Sequence, residues 1–305
     1  MSPSQNNVAS SIHKKSGKKE GKLIVIGGGE DKKFDKEILS HFVKLSGGSK
    51  ANIVVITAAS SVQDEVWETY QEVFKELDVE KCLKIALYTR EDANNPEIAQ
   101  LVLEANGIFM TGGDQKKLMA LIGGTAVDIA LHKAFTEHGA CIAGTSAGAS
   151  AMSGHMLAQS SGEKMPTKGT VHLGAGLGFL HRVVIDQHFS ERQRLGRLLA
   201  VIAQNPYLLG VGIDEDTALV VTKGKSFEII GNGAMTVVDG REMISNFNEI
   251  SAEERLELTN MKLHLFPSGT RHYFDEYKDI PESATTSSLL HEVISIITSS
   301  NEHRA

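Results

Sequence analysis

Four short segments hold the residue types that acyl transfer needs: Gly27-Gly28-Gly29-Glu30-Asp31, Thr111-Gly112-Gly113-Asp114-Gln115, Gly144-Thr145-Ser146-Ala147-Gly148-Ala149 and Asp186-Gln187-His188. The third matches G-x-S-x-G after an apolar run and before small residues that can start a helix. Flanking glycines permit the sharp strand-to-helix turn that lifts a serine hydroxyl out of a sheet, which makes Ser146 the candidate nucleophile. The Ala147 N–H, at the helix start, would then point at a developing oxyanion. Gly112-Gly113 ends a neighbouring strand and can bring a second backbone N–H to the same carbonyl, because no β-carbon blocks the approach. Short Gly/Ser turns are common, so the motif acquires meaning only with a base and an acid at the same sheet edge.

A serine needs a base. Of the 12 histidines, His13 and His303 sit near the termini and His41, His132 and His291 fall in helical segments. His188 differs: it follows a short apolar strand and the Asp186-Gln187 pair, at a strand's carboxyl end. The orienting acid is expected from Gly212-Ile213-Asp214-Glu215-Asp216, where one of three carboxylates would hold the imidazole in the tautomer that accepts the serine proton. The chain order Ser, His, acid departs from the Ser, acid, His order of α/β-hydrolases and disfavours that fold. No H-E-x-x-H or comparable spacing appears, so no metal is expected. Gly27-Gly28-Gly29 lacks the G-x-G-x-x-G fingerprint, and Glu30 and Asp31 would repel a pyrophosphate there. No cofactor is expected.

These residues have to be carried by strand ends. Leu23 to Ile26 is a continuous apolar, largely β-branched run ending in glycines, as expected of a strand buried on both faces. Ile53 to Thr57, Leu83 to Tyr88, Gly107 to Thr111 and Cys141 to Gly144 repeat that signature. Glu37 to Leu45, Glu65 to Leu77, Pro96 to Leu103 and Ala126 to Phe135 lie between them with helical period. Alternating strands and helices predict an α/β fold with a doubly wound, mostly parallel sheet and helices on both faces. Val183 to Ile185, helix Glu191 to Ala203 and Leu208 to Ile213 continue the pattern. Ala218 to Thr222, Phe227 to Ile230 and Met235 to Val238, separated by Lys-Gly-Lys and Gly-Asn-Gly turns, read as an antiparallel extension finishing the sheet. The expected organisation is a tail over residues 1–21, a single α/β unit over 22–278, and a C-terminal tail or docking helix over 279–305 with an amphipathic stretch from Leu289 to Ile297.

Ser190-Glu191-Arg192-Gln193 reads as a capping box opening the helix, with Leu195, Leu198, Leu199 and Ile202 on its buried face. Arg194 and Arg197 are three apart and share a face near His188. Arginine forks match carboxylates bidentately, which points to an acidic substrate. Gln115 and the Asp186-Gln187 pair can add neutral and acidic recognition.

Taken together, G-G-G-E-D-K at 27–32, G-I-F-M-T-G-G-D-Q at 107–115, A-G-T-S-A-G-A at 143–149, D-Q-H-F at 186–189 with R-x-R-x-x-R at 192–197, and G-I-D-E-D-T-A at 212–218 resemble the serine peptidase family that contains cyanophycinase and the aspartyl dipeptidase peptidase E. The resemblance spans about residues 22 to 240. It implies Ser146 as nucleophile, His188 as base, Glu215 as third member, and an oxyanion hole from the Gly113 and Ala147 amides. It also implies substrate binding by Gln115, Asp186, Gln187, Arg192, Arg194 and Arg197. The implied activity is exopeptidase release of β-aspartyl-arginine dipeptides from cyanophycin, a poly-aspartate backbone with arginine on each side chain, and the implied assembly is a homodimer. The alternatives are an α-aspartyl dipeptidase and a non-catalytic binder of acidic peptides. Glu30, Asp31 and Glu163 are candidates for accepting the substrate's arginine.

Composition sets limits around this reading. With 31 Lys+Arg against 38 Asp+Glu, the net charge of −7 disfavours broad binding to nucleic acid or anionic lipid, which need a dominant basic face. The basic run Lys14, Lys15, Lys18, Lys19 and Lys22 sits among Ser, Gly and Asn, as in a solubilising tail. The apolar run after it is too short for a secretion signal, and nothing approaches the roughly 20 apolar residues of a membrane span. Cys82 and Cys141, each inside an apolar run, read as buried thiols of a reducing compartment, so the expected location is the cytoplasm.

Overall fold

Strands apolar on both faces need cover on both faces, and the chain supplies it with two sheets and flanking helices. The computed structural model describes residues 21–160, 165–274 and 285–298. In the first half the chain forms β1 (Lys22–Ile26), α1 (Glu37–Ser46), β2 (Asn52–Ile56), α2 (Gln63–Glu76), β3 (Lys81–Ile85), α3 (Arg90–Asn94), α4 (Pro96–Leu103), β4 (Gly107–Met110), α5 (Gln115–Ile122), α6 (Ala126–Thr136), β5 (Cys141–Thr145) and α7 (Ala147–Ala151). The β6 (His155–Ser160) and β7 (Val171–Ala175) hairpin follows, then β8 (Val183–Gln187), α8 (Leu195–Gln204), β9 (Leu209–Ile213), β10 (Thr217–Thr222), β11 (Ser226–Gly231) and β12 (Ala234–Asp239). The remainder comprises β13 (Ile244–Ser245), β14 (Leu258–Thr259), β15 (Lys262–Pro267), β16 (Arg271–Tyr273) and α9 (Thr285–Thr298).

The larger sheet has the order β16-β11-β10-β1-β5-β4-β2-β3. From β1 to β3 neighbours run parallel, and β10, β11 and β16 add an antiparallel edge. Side chains alternate as the pleat requires: Ile24, Ile26, Ile53 and Val55 pack toward α1 and α2, while Leu23, Val25, Val54 and Ile56 join the core beneath α4 to α6. The mostly parallel sheet with helices on both faces is the predicted class. The third strand sits earlier than expected, at Lys81–Ile85 rather than Leu83 to Tyr88. It is the sheet's edge, paired only with β2, so its burial is partial and its apolar pattern is weak there.

The second half departs from the expected single sheet. β8, β9 and β12 join β15 in a separate four-stranded sheet, ordered β15-β12-β9-β8. The chain crosses between sheets at Asp214–Asp216, and returns through Gly231 and Gly233. A β-carbon on Gly231, at φ 96°, would strike the Asp216 carbonyl, so this close crossing requires glycine. One face of the smaller sheet shares the main core through Val183, Ile185, Val211 and Val237, and the other is covered by Leu198 and Ile202 of α8.

The helix expected from Glu191 begins at Leu195, because Gln193 has φ 51° and turns the chain out of helical geometry. Leu195, expected on its buried face, is 42% exposed at that first turn, whereas Leu198 and Ile202 are buried. At the C-terminal end α9 docks on β10 and β11, burying Val293, Ile294, Ile296 and Ile297, while Glu292 pairs with Arg241. Most of the expected tails, including Lys14, Lys15, Lys18 and Lys19, and also Glu163, lie outside the described residues. Among the described residues no single helix is long and apolar enough to cross a membrane.

Candidate active site

The carboxyl ends of two parallel strand pairs meet at one place. In the larger sheet Ile26 of β1 pairs with Thr145 of β5, and in the smaller one Gln187 of β8 pairs with Ile213 of β9. The residues just beyond these ends are Gly27, Ser146, His188 and Asp214. Three successive carbonyls of the first loop then fix the other loops: Ile26 accepts from the Ser146 N–H at 3.1 Å, Gly27 from His188 at 2.7 Å, and Gly28 from Asp216 at 2.8 Å. Ser146, His188 and Asp216 all have positive φ, 51°, 48° and 45°. Such backbone costs on the order of 1–3 kcal/mol per residue and persists where surrounding bonds over-determine it.

The result is a continuous chain of polar contacts. Ser146 Oγ lies 2.9 Å from His188 Nε2, and His188 Nδ1 lies 2.5 Å from Glu215 Oε1. A carboxylate only accepts, so Nδ1 carries the proton and Nε2 is left to take one from the serine hydroxyl. Burial holds the His188 pKa below the ordinary value of 6.5; the Glu215 contact opposes this, and the charges of Arg192 and Arg194 reinforce it. At neutral pH the imidazole is therefore in the form that can accept a proton. Of the three candidate acids, only Glu215 reaches the imidazole. Asp214 accepts from the Ser190 hydroxyl and the Ala234 N–H, and Asp216 from the Asp31 N–H and the Asn232 side chain.

Ser146 precedes the short α7, whose first residue Ala147 is fully buried. A β-carbon on Gly112 would stand 3.4 Å from the Ser146 β-carbon, and Gly113 has φ 141° with the Ala59 carbonyl against it. Gly112 thus adjoins the serine side chain, with Gly113 next to it in the same turn. Gln115 opens α5 and donates from Nε2 to the Leu157 carbonyl at 2.9 Å. A cleft of about 330 Å³ lies over the serine, lined by Glu30, Lys32, Tyr70, Gly112, Ser146 and His188.

The arginine cluster is arranged around an internal acid. Asp186 is 1% exposed, and both its oxygens are taken by the Arg197 fork, with Nε to Oδ2 at 2.7 Å. Arg194 donates to the Gln187 side chain at 2.8 Å and to the Gln187 carbonyl, and lies 3.4 Å from Asp186. Burial lowers the Arg194 pKa to about 10, which still leaves it charged at neutral pH. Arg192 is exposed, and its backbone N–H donates to the His188 carbonyl at 3.2 Å. The structure therefore joins Asp186, Gln187, Arg194 and Arg197 in one network and leaves Arg192 facing solvent.

Sequence reasoning missed the floor beneath the nucleophile. Glu30 is 3% exposed and accepts from Tyr70 Oη, from Thr145 Oγ1 at 2.6 Å and from Lys32 Nζ at 2.8 Å. Burial and the Glu30 charge push the Tyr70 phenol well above its ordinary pKa, so it stays a donor. Asp31 spends its carboxylate on the N–H groups of Lys33, Phe34 and Lys36, which lower its pKa to about 2. Contrary to the expectation for a substrate arginine, neither Glu30 nor Asp31 presents a free carboxylate in the cleft. Among the described residues no group of three His, Cys, Asp or Glu is placed to hold a metal ion.

The model for peptidase family S51 matches residues 23–230, which contain Ser146, His188, Glu215 and the arginine network. The chain belongs to peptidase family S51. It is 36% identical to a cyanophycinase of Geminocystis herdmanii over 251 residues, covering 82% of this chain and 92% of that one. With a cyanophycinase of Trichormus variabilis it shares 34% identity over 260 residues, or 85% and 87% of the two chains. With one of Synechococcus elongatus it shares 35% over 263 residues, or 86% and 81%. Among solved structures, a peptidase from an acI-B1 Actinobacterium superposes with a TM-score of 0.61 at 20% identity, over 84% of this chain and 98% of that one, which establishes the shared fold. The S51 assignment makes the chain a serine-type peptidase.

Proposed function

We propose that this peptidase hydrolyses cyanophycin as an exopeptidase, releasing β-Asp-Arg dipeptides through Ser146, His188 and Glu215. The observation that carries the chemistry is the unbroken run Ser146 Oγ, His188 Nε2, His188 Nδ1, Glu215 Oε1. The substrate rests on the curated relatives named cyanophycinase.

Ser146 Oγ attacks the scissile carbonyl carbon while His188 Nε2 takes the hydroxyl proton, and the carbonyl π pair moves onto oxygen. The Gly113 and Ala147 amides, in the glycine turn beside Ser146 and at the start of α7, are assigned to that oxyanion. Collapse breaks the C–N bond, and His188 returns its proton to the departing amine, leaving an acyl-serine. A water then loses a proton to His188, adds to the acyl carbon and expels Ser146 Oγ, which recovers the proton. Glu215 holds the ring and stabilises the imidazolium in both halves. Arg192 is assigned to substrate carboxylates at the cleft, with Asp186, Gln187, Arg194 and Arg197 as the charged wall behind it and Gln115 as a neutral partner.

Homodimeric assembly and a cytoplasmic location belong to the same proposal. The free thiols of Cys82 and Cys141, both pushed up to about 12 by burial, are in keeping with the latter. Incubating the purified chain with cyanophycin and assaying soluble β-Asp-Arg tests the function. Release from α-aspartyl dipeptides but not from the polymer would assign it instead to the dipeptidase reading.

A further inference from the structure

Ser190 and Glu191 read in sequence as the cap of their own helix, yet both side chains turn away from it toward the acidic crossover. Ser190 donates to Asp214 Oδ1 twice, from its hydroxyl at 2.5 Å and from its backbone N–H at 3.1 Å. In the opposite direction the Glu215 N–H donates to Glu191 Oε2 at 3.1 Å. Asp214 Oδ2 accepts from the Ala234 N–H at 3.1 Å, which ties the bracket to β12. The loop that carries the imidazole and the turn that carries its carboxylate are thus cross-linked in both directions, within three residues of His188 and beside Glu215.

We propose that Ser190, Glu191 and Asp214 are positioning residues that lock His188 and Glu215 at their working separation, a role that rests on the Ser146-His188-Glu215 reading above. The need for such a bracket follows from where Glu215 sits. It lies in a three-residue crossover between sheets, outside regular structure, and its side chain is 40% exposed. Water competes there for the carboxylate, and a fixed backbone keeps it on Nδ1. Small displacements of a catalytic group cost large factors in rate, so a pair of outer hydrogen bonds acts on kcat rather than on binding. Asp214 and Asp216 spend their carboxylates on holding the turn, which leaves the longer side chain between them to reach the ring.

The bracket has a signature that general destabilisation lacks. His188 is faced by Glu215, by Arg192 and Arg194 of its own loop, and by Glu30 and Lys32 across the cleft. Among these Glu215 raises the imidazole pKa, so loosening Glu215 moves the acid limb of kcat/KM to lower pH. The experiment compares Ser190→Ala, Glu191→Ala, Ser190→Thr, Glu191→Gln and Ser146→Ala in the full chain on cyanophycin. The two alanine variants of the bracket are expected to lose about ten-fold in kcat with KM within about two-fold, and to shift the acid limb downward. Ser190→Thr, which keeps a hydroxyl, and Glu191→Gln, which keeps an acceptor oxygen, should recover most of the loss. Should Glu191→Ala melt below assay temperature, Glu191→Asp, one methylene short, reads the same kcat loss. Unchanged kcat in both alanine variants with an inactive Ser146→Ala overturns the bracket and leaves the triad standing. A fall in kcat without any movement of the pH limb overturns it as well. An active Ser146→Ala overturns the triad reading itself, and the bracket with it.

Discussion

The ring of His188 occupies the space into which a side chain on Gly28 would project: a β-carbon there would stand 2.5 Å from His188 Nε2. Gly29 stands in the same relation to Glu215, whose Oε2 would lie 2.9 Å from its β-carbon. Gly28 and Gly29 also have φ of 97° and 61°, so the loop depends on glycine for its path as well as for its emptiness. The triple glycine is the template against which base and acid are set.

Gly28→Ala should therefore displace the imidazole and lower kcat by at least about 10², the scale of an ångström-sized misplacement. Steady-state kinetics together with a melting curve check this. A variant that folds and keeps wild-type kcat would show that the imidazole has another resting position.

Ser146→Ala should abolish turnover, by a factor on the order of 10⁶ in kcat, while substrate binding survives, because members of such a unit act together. His188→Ala should be comparable. Glu215→Gln should be milder, since Ser146 and His188 remain and only the charge behind the imidazolium is lost. Activity within ten-fold of wild type in Ser146→Ala would remove it from the nucleophile's role.

The pH profile follows from the direction of the His188 shift. The base is needed neutral, and burial holds its pKa below 6.5, so the midpoint of the acid limb of kcat/KM should lie below pH 6.5. Stability carries the same sign: the unfolded imidazole protonates near 6.5 and the folded one at lower pH, so stability from this group is lost as pH drops below 6.5. An acid limb centred above 6.5 would contradict the assignment.

Arg192 and Arg197 should separate cleanly. Arg197→Lys keeps the charge but loses the fork on buried Asp186, and should cost about 1–3 kcal/mol of stability as well as activity. Arg192→Lys should leave the melting temperature within about 1 °C, as expected for an exposed side chain, and raise KM. Kinetics and calorimetry on both variants distinguish a substrate contact from an internal one.

Tyr70→Phe should destabilise by about 1–3 kcal/mol, because the buried Glu30 carboxylate loses a hydrogen-bond donor. Its effect on kcat should pass through Thr145 into Ser146. A melting temperature equal to wild type would mean that Thr145 and Lys32 satisfy Glu30 without it.

Local chain order alone determined much of this protein. The apolar run Leu23–Ile26, the G-x-S-x-G turn after Cys141–Gly144 and His188 after Val183–Ile185 are local signals, since a buried strand followed by a glycine turn can be read from a dozen residues. The alternation of strands and helices likewise predicted the mostly parallel sheet. Tertiary structure decided how those ends meet. That β8 and β9 leave the main sheet, that Asp214–Asp216 becomes the crossover between sheets, and that Ser190 and Glu191 grip it rather than cap α8 all depend on contacts between residues more than 20 apart. Composition near each residue carries no trace of such contacts. The same limit hid Glu30: in sequence it is an acid after three glycines, and only the packing of Tyr70, Thr145 and Lys32 around it makes it a buried support for the serine. Arg194 and Arg197 looked like free forks for the same reason, because Asp186, which pairs with Arg197, looks in sequence like one more polar residue at a strand end.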